Sequence, residues 1–152
     1  MREIHRTIVS AVIFSKDGKL LMGKKDPNAG GVYSQYRHFP GGGVDEWETL
    51  QDALIRETKE EVGIDISDKE ITPIFSGDTW TSEKTLKDTG EKVLCHMEFH
   101  RFRIDLDQDA KDVKIILDDD LIETRWFSKE EIDITERMPW GREFFQKMGY
   151  IE

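Results

Sequence analysis

The chain has 152 residues, enough for one domain with its own core, and eight Phe and four Trp argue against disorder although 36% of the residues are charged. A net charge of −10 excludes a good electrostatic match to long nucleic acid, which rewards neutralisation of phosphate by basic residues; a small phosphorylated ligand screened by metal ions stays compatible. The single cysteine, Cys95, excludes a disulfide within the chain, and no stretch approaches the roughly 20 apolar residues that span a bilayer.

The start, MREIHRTIVSAVIF, has only a short apolar run, broken by polar residues, and lacks a small-residue cleavage pattern. A soluble, cytoplasmic protein with no membrane partner is expected. Residues 7–25, TIVSAVIFSKDGKLLMGKK, are dense in Val and Ile and predict two strands joined by a hairpin turn at KDGK. DPNAGG, 26–31, is turn chemistry and predicts an exposed loop. YRHFPGGGVDEWE, 36–48, predicts a short extended piece running into a glycine loop.

TLQDALIRETKEEVG, 49–63, predicts a helix, with Thr49 as the cap, Asp52 three residues on, and Gly63 in the left-handed closing position. Strands are predicted over 70–80 and 93–105, with the polar segment 81–92 as a loop between them. TRWFS, 124–128, predicts a last strand; SKEEI begins a short helix, and WGREFFQKMG, 140–149, predicts a C-terminal helix ending at Gly149. Strands, helix, strands, helix is the pattern of a mixed sheet with helices packed on it.

The helix over 49–63 crowds Glu57, Glu60 and Glu61 onto an arc of about 100° near its C-terminal end. Like-charge pairs at this spacing cost roughly 0.2–0.5 kcal/mol each, and anions near a helix C-terminus add about 0.3–1 kcal/mol each. A solvated acidic face relieved by Lys59 and Arg56 is one reading. The other starts from Leu50, Ala53 and Leu54 on the same side: the face that begins by packing ends by presenting carboxylates, which a cation would relieve. Hard oxygen ligands of this kind favour Mg²⁺ or Mn²⁺ over Zn²⁺. No close His/Cys pair has zinc spacing, and no EF-hand calcium loop is present.

The wider spacing carries a resemblance. Gly42 is followed by five residues and Glu48, then by seven residues and Arg56-Glu57, then Glu60, Glu61, Gly63 and Ile64. This resembles the Nudix box, whose fixed residues are all matched; the departure is Thr58, where the family has a bulky aliphatic residue. YRHFPGGG resembles the aromatic lead-in to the box, with Tyr36 where many members carry Trp, and ETRWFSKEEI is similar to the strand and helix start that follow a Nudix site.

The resemblance implies one domain over residues 1–152, an α/β fold of Nudix type, an α/β/α sandwich around a mixed β-sheet. It also implies Mg²⁺-dependent hydrolysis of a diphosphate linkage in a small nucleotide substrate, with Mn²⁺ as a substitute. The short chain points to the MutT-like members, which act on nucleoside triphosphates. Nucleotide sugars, ADP-ribose and dinucleoside polyphosphates stay open, as do a non-catalytic nucleotide sensor of the same fold and a homodimer.

By the same resemblance, Glu57, Glu60, Arg56 and Glu48 form the catalytic set. Glu57 and Glu61 are the metal ligands, with Glu60 beside them and the Gly41 carbonyl in reach. Glu48 would hydrogen-bond or help to ligate, and Arg56 would orient a glutamate through its planar fork. Glu57 is the candidate base, with a late-loop acid as the alternative. Asp120 is the first choice for that further ligand among Asp118, Asp119, Asp120 and Glu123. Substrate binding falls to Arg37, Phe39 and Tyr36, with Trp80, Trp126 and Lys24 as further candidates and core packing as the competing role for each ring.

Overall fold

The computed structural model describes residues 1–25, 37–117, 121–134 and 145–146. Its spine is β1 (Arg2–Phe14), which runs parallel to β6 (Lys92–Asp105) from Arg2 opposite Val93 to Phe14 opposite Asp105. Outside β6 lies β5 (Thr72–Thr85), antiparallel to it and last in the sheet. The other side of β1 is shared. β4 (Gly41–Gly43) pairs antiparallel with Ile8 to Ser10, and β2 (Leu20–Lys25) joins at Phe14 opposite Leu20. β2 in turn carries β3 (Arg37–His38) and β7 (Leu121–Phe127).

Alternation along β1 sorts the core into two layers. Val9, Ala11 and Ile13 face α1 (Leu50–Val62) and pack with Ala53, Leu54 and Val62 of that helix and with Phe102 and Ile104 of β6. Val12 and Phe14 face the other way and pack with Leu20, Met22, Phe39, Phe127 and Phe145. Phe145 belongs to two described helical residues of the C-terminal segment. Helix, mixed sheet and helical segment thus give the α/β/α layering expected from the sequence. The rest of the predicted C-terminal helix lies outside the described residues. A short helix α2 (Lys129–Ile134) follows β7 as expected, its Ser128 and Glu131 exchanging hydrogen bonds through backbone N–H groups.

Helix α1 keeps its predicted limits because both ends are chemically fixed. The Thr49 hydroxyl accepts from the Asp52 N–H at 3.1 Å. Gly63 closes the helix at φ 74°, a left-handed conformation, and donates to the Lys59 carbonyl. The Ile116 N–H then takes the Val62 carbonyl.

Three expectations need correction. The predicted glycine loop is in part a strand: Gly41–Gly43 fills the free side of β1, whose N–H and C=O groups there need partners. The predicted loop 81–92 is strand up to Thr85, with a turn in which the Leu86 N–H donates to the Glu91 carbonyl and the Gly90 N–H to the Leu86 carbonyl. β1 also starts at Arg2, five residues before its apolar run. In the last two cases the ladder partner is β6, and backbone pairing there does not depend on side-chain polarity because one face meets solvent.

Candidate active site

Helix α1 lays its last two turns along β4, and this contact forms the site. Glu57 and Glu61, one turn apart on the helix, both turn inward, with only 8% and 2% of their surfaces exposed. The Gly41 N–H donates to Glu61 Oε1 at 3.2 Å. The Glu57 carboxylate lies so close to Gly42 that a Cβ there would sit 2.6 Å from its carbon. Glycine at 42 is therefore a steric condition for the inward carboxylate.

Arg56 holds the outer side together. Its Nε and Nη2 donate to the two oxygens of Glu48 at 2.8 and 2.7 Å, a bidentate clamp. Its Nη1 donates to Glu57 Oε1 at 2.9 Å and to Glu60 Oε2 at 3.3 Å, and Nη2 also reaches the Gly43 carbonyl at 3.2 Å. One guanidinium therefore ties the loop before α1, the helix and β4 to each other. The fork of Arg56, helped by the Asp45 N–H, holds the Glu48 carboxyl well below its ordinary value, at about 2. Glu48, and after it Glu57, push the Arg56 guanidinium upward, so it stays charged.

The expected residues separate into groups. Glu48, Arg56, Glu57, Glu61 and Gly41 are brought together. Glu60 is on the outer rim, its side chain half-exposed against Arg56. Glu123 stands exposed on β7, opposite Lys24 in the ladder. Asp118, Asp119 and Asp120 lie outside the described residues, as do Tyr36 and the side chain of Arg37. Phe39 is buried, its ring edge-on to Phe145 at 6.0 Å, in the core cluster that Val12 and Phe14 join. Trp126 packs partly against the helix-side core, while Trp80 stays exposed on β5. Thr58, the departure from the box, is fully buried, and its hydroxyl has no hydrogen-bond partner among the described residues.

Whether a divalent metal suits this site is a question of donor chemistry. Among the described residues no three His, Cys, Asp or Glu side chains are grouped to hold an ion. Mg²⁺ does not need three: it commonly takes one or two carboxylates and completes its shell with water and substrate phosphate oxygens. Two inward carboxylates on one helix face, offering oxygen alone beside a backbone strand without side chains, fit that requirement.

Two residues escaped the sequence reading. Trp47, in the loop just before Glu48, is 84% exposed, and nothing in the spacing of the box marks it. Arg6 packs its guanidinium against Gly43. The signal for Arg6 was present, since alternation along β1 puts it between the inward Ile4 and Ile8.

Comparison with known proteins identifies the family and the fold. The NUDIX domain family matches residues 4–148. The nucleoside triphosphatase NudI of Escherichia coli is 35% identical over 128 residues, 84% of this chain and 84% of its own length. The RNA pyrophosphohydrolase of Hydrogenovibrio crunogenus is 45% identical over 64 residues, but that match spans only 42% of this chain and 35% of the relative. Among solved structures, the dihydroneopterin triphosphate pyrophosphohydrolase of E. coli shares the fold at TM-score 0.64, with 18% identity and 93% and 92% of the two chains covered. No helix among the described residues is long and apolar enough to cross a membrane.

Proposed function

The chain belongs to the Nudix hydrolase family, and from that premise we propose that it is a Mg²⁺-dependent pyrophosphohydrolase acting on a nucleoside triphosphate. The observation that carries the reading is the pair of inward carboxylates, Glu57 and Glu61, set against the glycine strand with Arg56 and Glu48 fixed beside them.

Each residue has a task in this reading. Glu57 and Glu61, with the Gly41 carbonyl, would hold the ion. When bound, Mg²⁺ supplies charge neutralisation at the phosphate oxygens during attack by water. Arg56 fixes the rotamer of Glu57 through Nη1, and Glu48 fixes Arg56, so the inner carboxylate is oriented before substrate arrives. Glu57 is the candidate to accept the proton from water, with a late-loop acid, Asp120 first, as the alternative base and further ligand. The absence of side chains at Gly41–Gly43 lets the Glu57 carboxylate pack directly on the strand, where a Cβ at Gly42 would displace it.

A nucleoside triphosphate is preferred as substrate because the relative aligned over most of both chains carries that activity in its name. The RNA pyrophosphohydrolase match is confined to a shorter stretch, and a net charge of −10 opposes a long polyanion.

The test is a turnover panel with and without Mg²⁺: nucleoside triphosphates, a nucleotide sugar, ADP-ribose, a dinucleoside polyphosphate and a 5′-triphosphorylated RNA. The proposal expects Mg²⁺-dependent pyrophosphate release that is fastest with a nucleoside triphosphate. Binding without turnover across the panel would make the protein a nucleotide sensor.

A further inference from the structure

Six arginines have described side chains, and five of them meet a carboxylate. Arg2 pairs with Glu91, Arg56 with Glu48 and Glu57, Arg101 with Asp78, Arg103 with Asp105, and Arg125 with Glu131. The sixth, Arg6, has no hydrogen bond or ion pair with any described residue. It is also half-buried, on the sheet face away from α1, between Ile4 and Ile8, which pack with Met97 and Phe99. Among the described residues this half-buried cation meets no anion to offset its lost hydration, and a ligand that carries one would supply it.

Its position says which ligand. A Cβ at Gly43 would lie 2.6 Å from Arg6 Nη2, and a Cβ at Gly42 would lie 2.6 Å from the Glu57 carboxylate. Neighbouring residues of a strand point to opposite faces. β4 is therefore a thin ribbon with the carboxylates on one side and a guanidinium on the other, and no side chain lies between them. Resting on the reading of the site as a nucleotide pyrophosphohydrolase, we propose that Arg6 binds a phosphoryl group of the substrate where its phosphate chain crosses the glycine strand. The planar fork of arginine suits two oxygens of one phosphate. Arg6 thereby positions the chain across β4 from the carboxylates and takes no part in the proton transfer.

The test uses the full chain with Arg6→Gln and Arg6→Lys, and it has two independent arms. In steady-state hydrolysis of a nucleoside triphosphate with Mg²⁺, R6Q should raise KM by about tenfold or more with kcat little changed, the mark of lost ground-state binding. R6K should fall between R6Q and the parent, since it keeps the charge but loses the fork. In calorimetry, inorganic pyrophosphate with Mg²⁺ should bind in the order parent, R6K, R6Q. The melting temperature of R6Q should stay level or rise, because a purely structural arginine would lower it. If the parent hydrolyses nothing, the proposed function falls, and the pyrophosphate arm still decides Arg6. Equal pyrophosphate affinity in parent and R6Q, no binding in either, or a fall of several degrees in the R6Q melting temperature overturns the assignment.

Discussion

Two groups of titratable side chains lie on the helix-side face of the sheet, and they handle charge differently. At the open end of β1, β6 and β5, His96 bonds Glu3 through Nε2 at 2.8 Å and Thr81 through Nδ1 at 2.9 Å, stacks on His5, and is followed by His100 paired with Glu98. His96 and His100 there each have their own carboxylate partner, and the glutamates are exposed. At the C-terminal end of α1, a single guanidinium is shared by Glu48, Glu57 and Glu60, while Glu61 turns inward to the Gly41 N–H. The first group closes its own account of charge. The second concentrates negative charge in a nearly dry position, and the proposed function puts the cation there.

The sharpest way to break this contrast is to neutralise one member of each group. Glu57→Gln and Glu61→Gln remove charge but little volume, and each should cut turnover by orders of magnitude with the circular dichroism spectrum unchanged. Full activity in both variants would mean the site is elsewhere. Somewhat smaller losses are expected from Gly42→Ala, because the added methyl occupies the place of the Glu57 carboxylate and displaces it. Its kcat should drop well below that of the parent in the same assay, and a parent-like kcat would show that the inward position of Glu57 is dispensable.

The acidic limb of stability separates the two groups in another way. The Glu48 carboxyl, lowered from 4.5 to about 2 by Arg56, contributes stability that is fully present above about 4.5 and is lost as the pH falls through about 2. Urea midpoints measured down this range should fall for the parent, and the fall should be shallower for Glu48→Gln. Identical pH profiles would remove the Arg56 clamp from the account. The smallest effect is expected at the open end, where Glu3→Gln breaks an exposed pair and should change stability by less than about 1 kcal/mol and leave turnover alone. A large loss there would erase the contrast.

The sequence revealed the acidic end more fully than the open one. Thr49, Asp52 and Gly63 announce the limits of α1 through capping chemistry, and the spacing from Gly42 to Ile64 announces the glutamates, because both signals are local along the chain. What it did not announce depends on pairing at long range. The polar end of β5 looks like a loop until β6 is placed beside it, and the glycine strand until β1 is. Phe39 carries the same ring whether it faces a ligand or Phe145, and only packing distinguishes the two. Thr58 shows a related limit: the box asks for an aliphatic residue, and the structure gives the position a buried interior in which the hydroxyl finds no partner among the described residues.

The most direct measurement is thermal denaturation against Mg²⁺ concentration, for the parent and for Glu57→Gln and Glu61→Gln. A site filled at 100 times its Kd stabilises by about 2.7 kcal/mol, which for a chain of this size raises Tm by roughly 5–10 °C. The account predicts a saturable rise of this order in the parent and its loss in both variants. A parent whose melting curve ignores Mg²⁺, or variants that respond as the parent does, would contradict it.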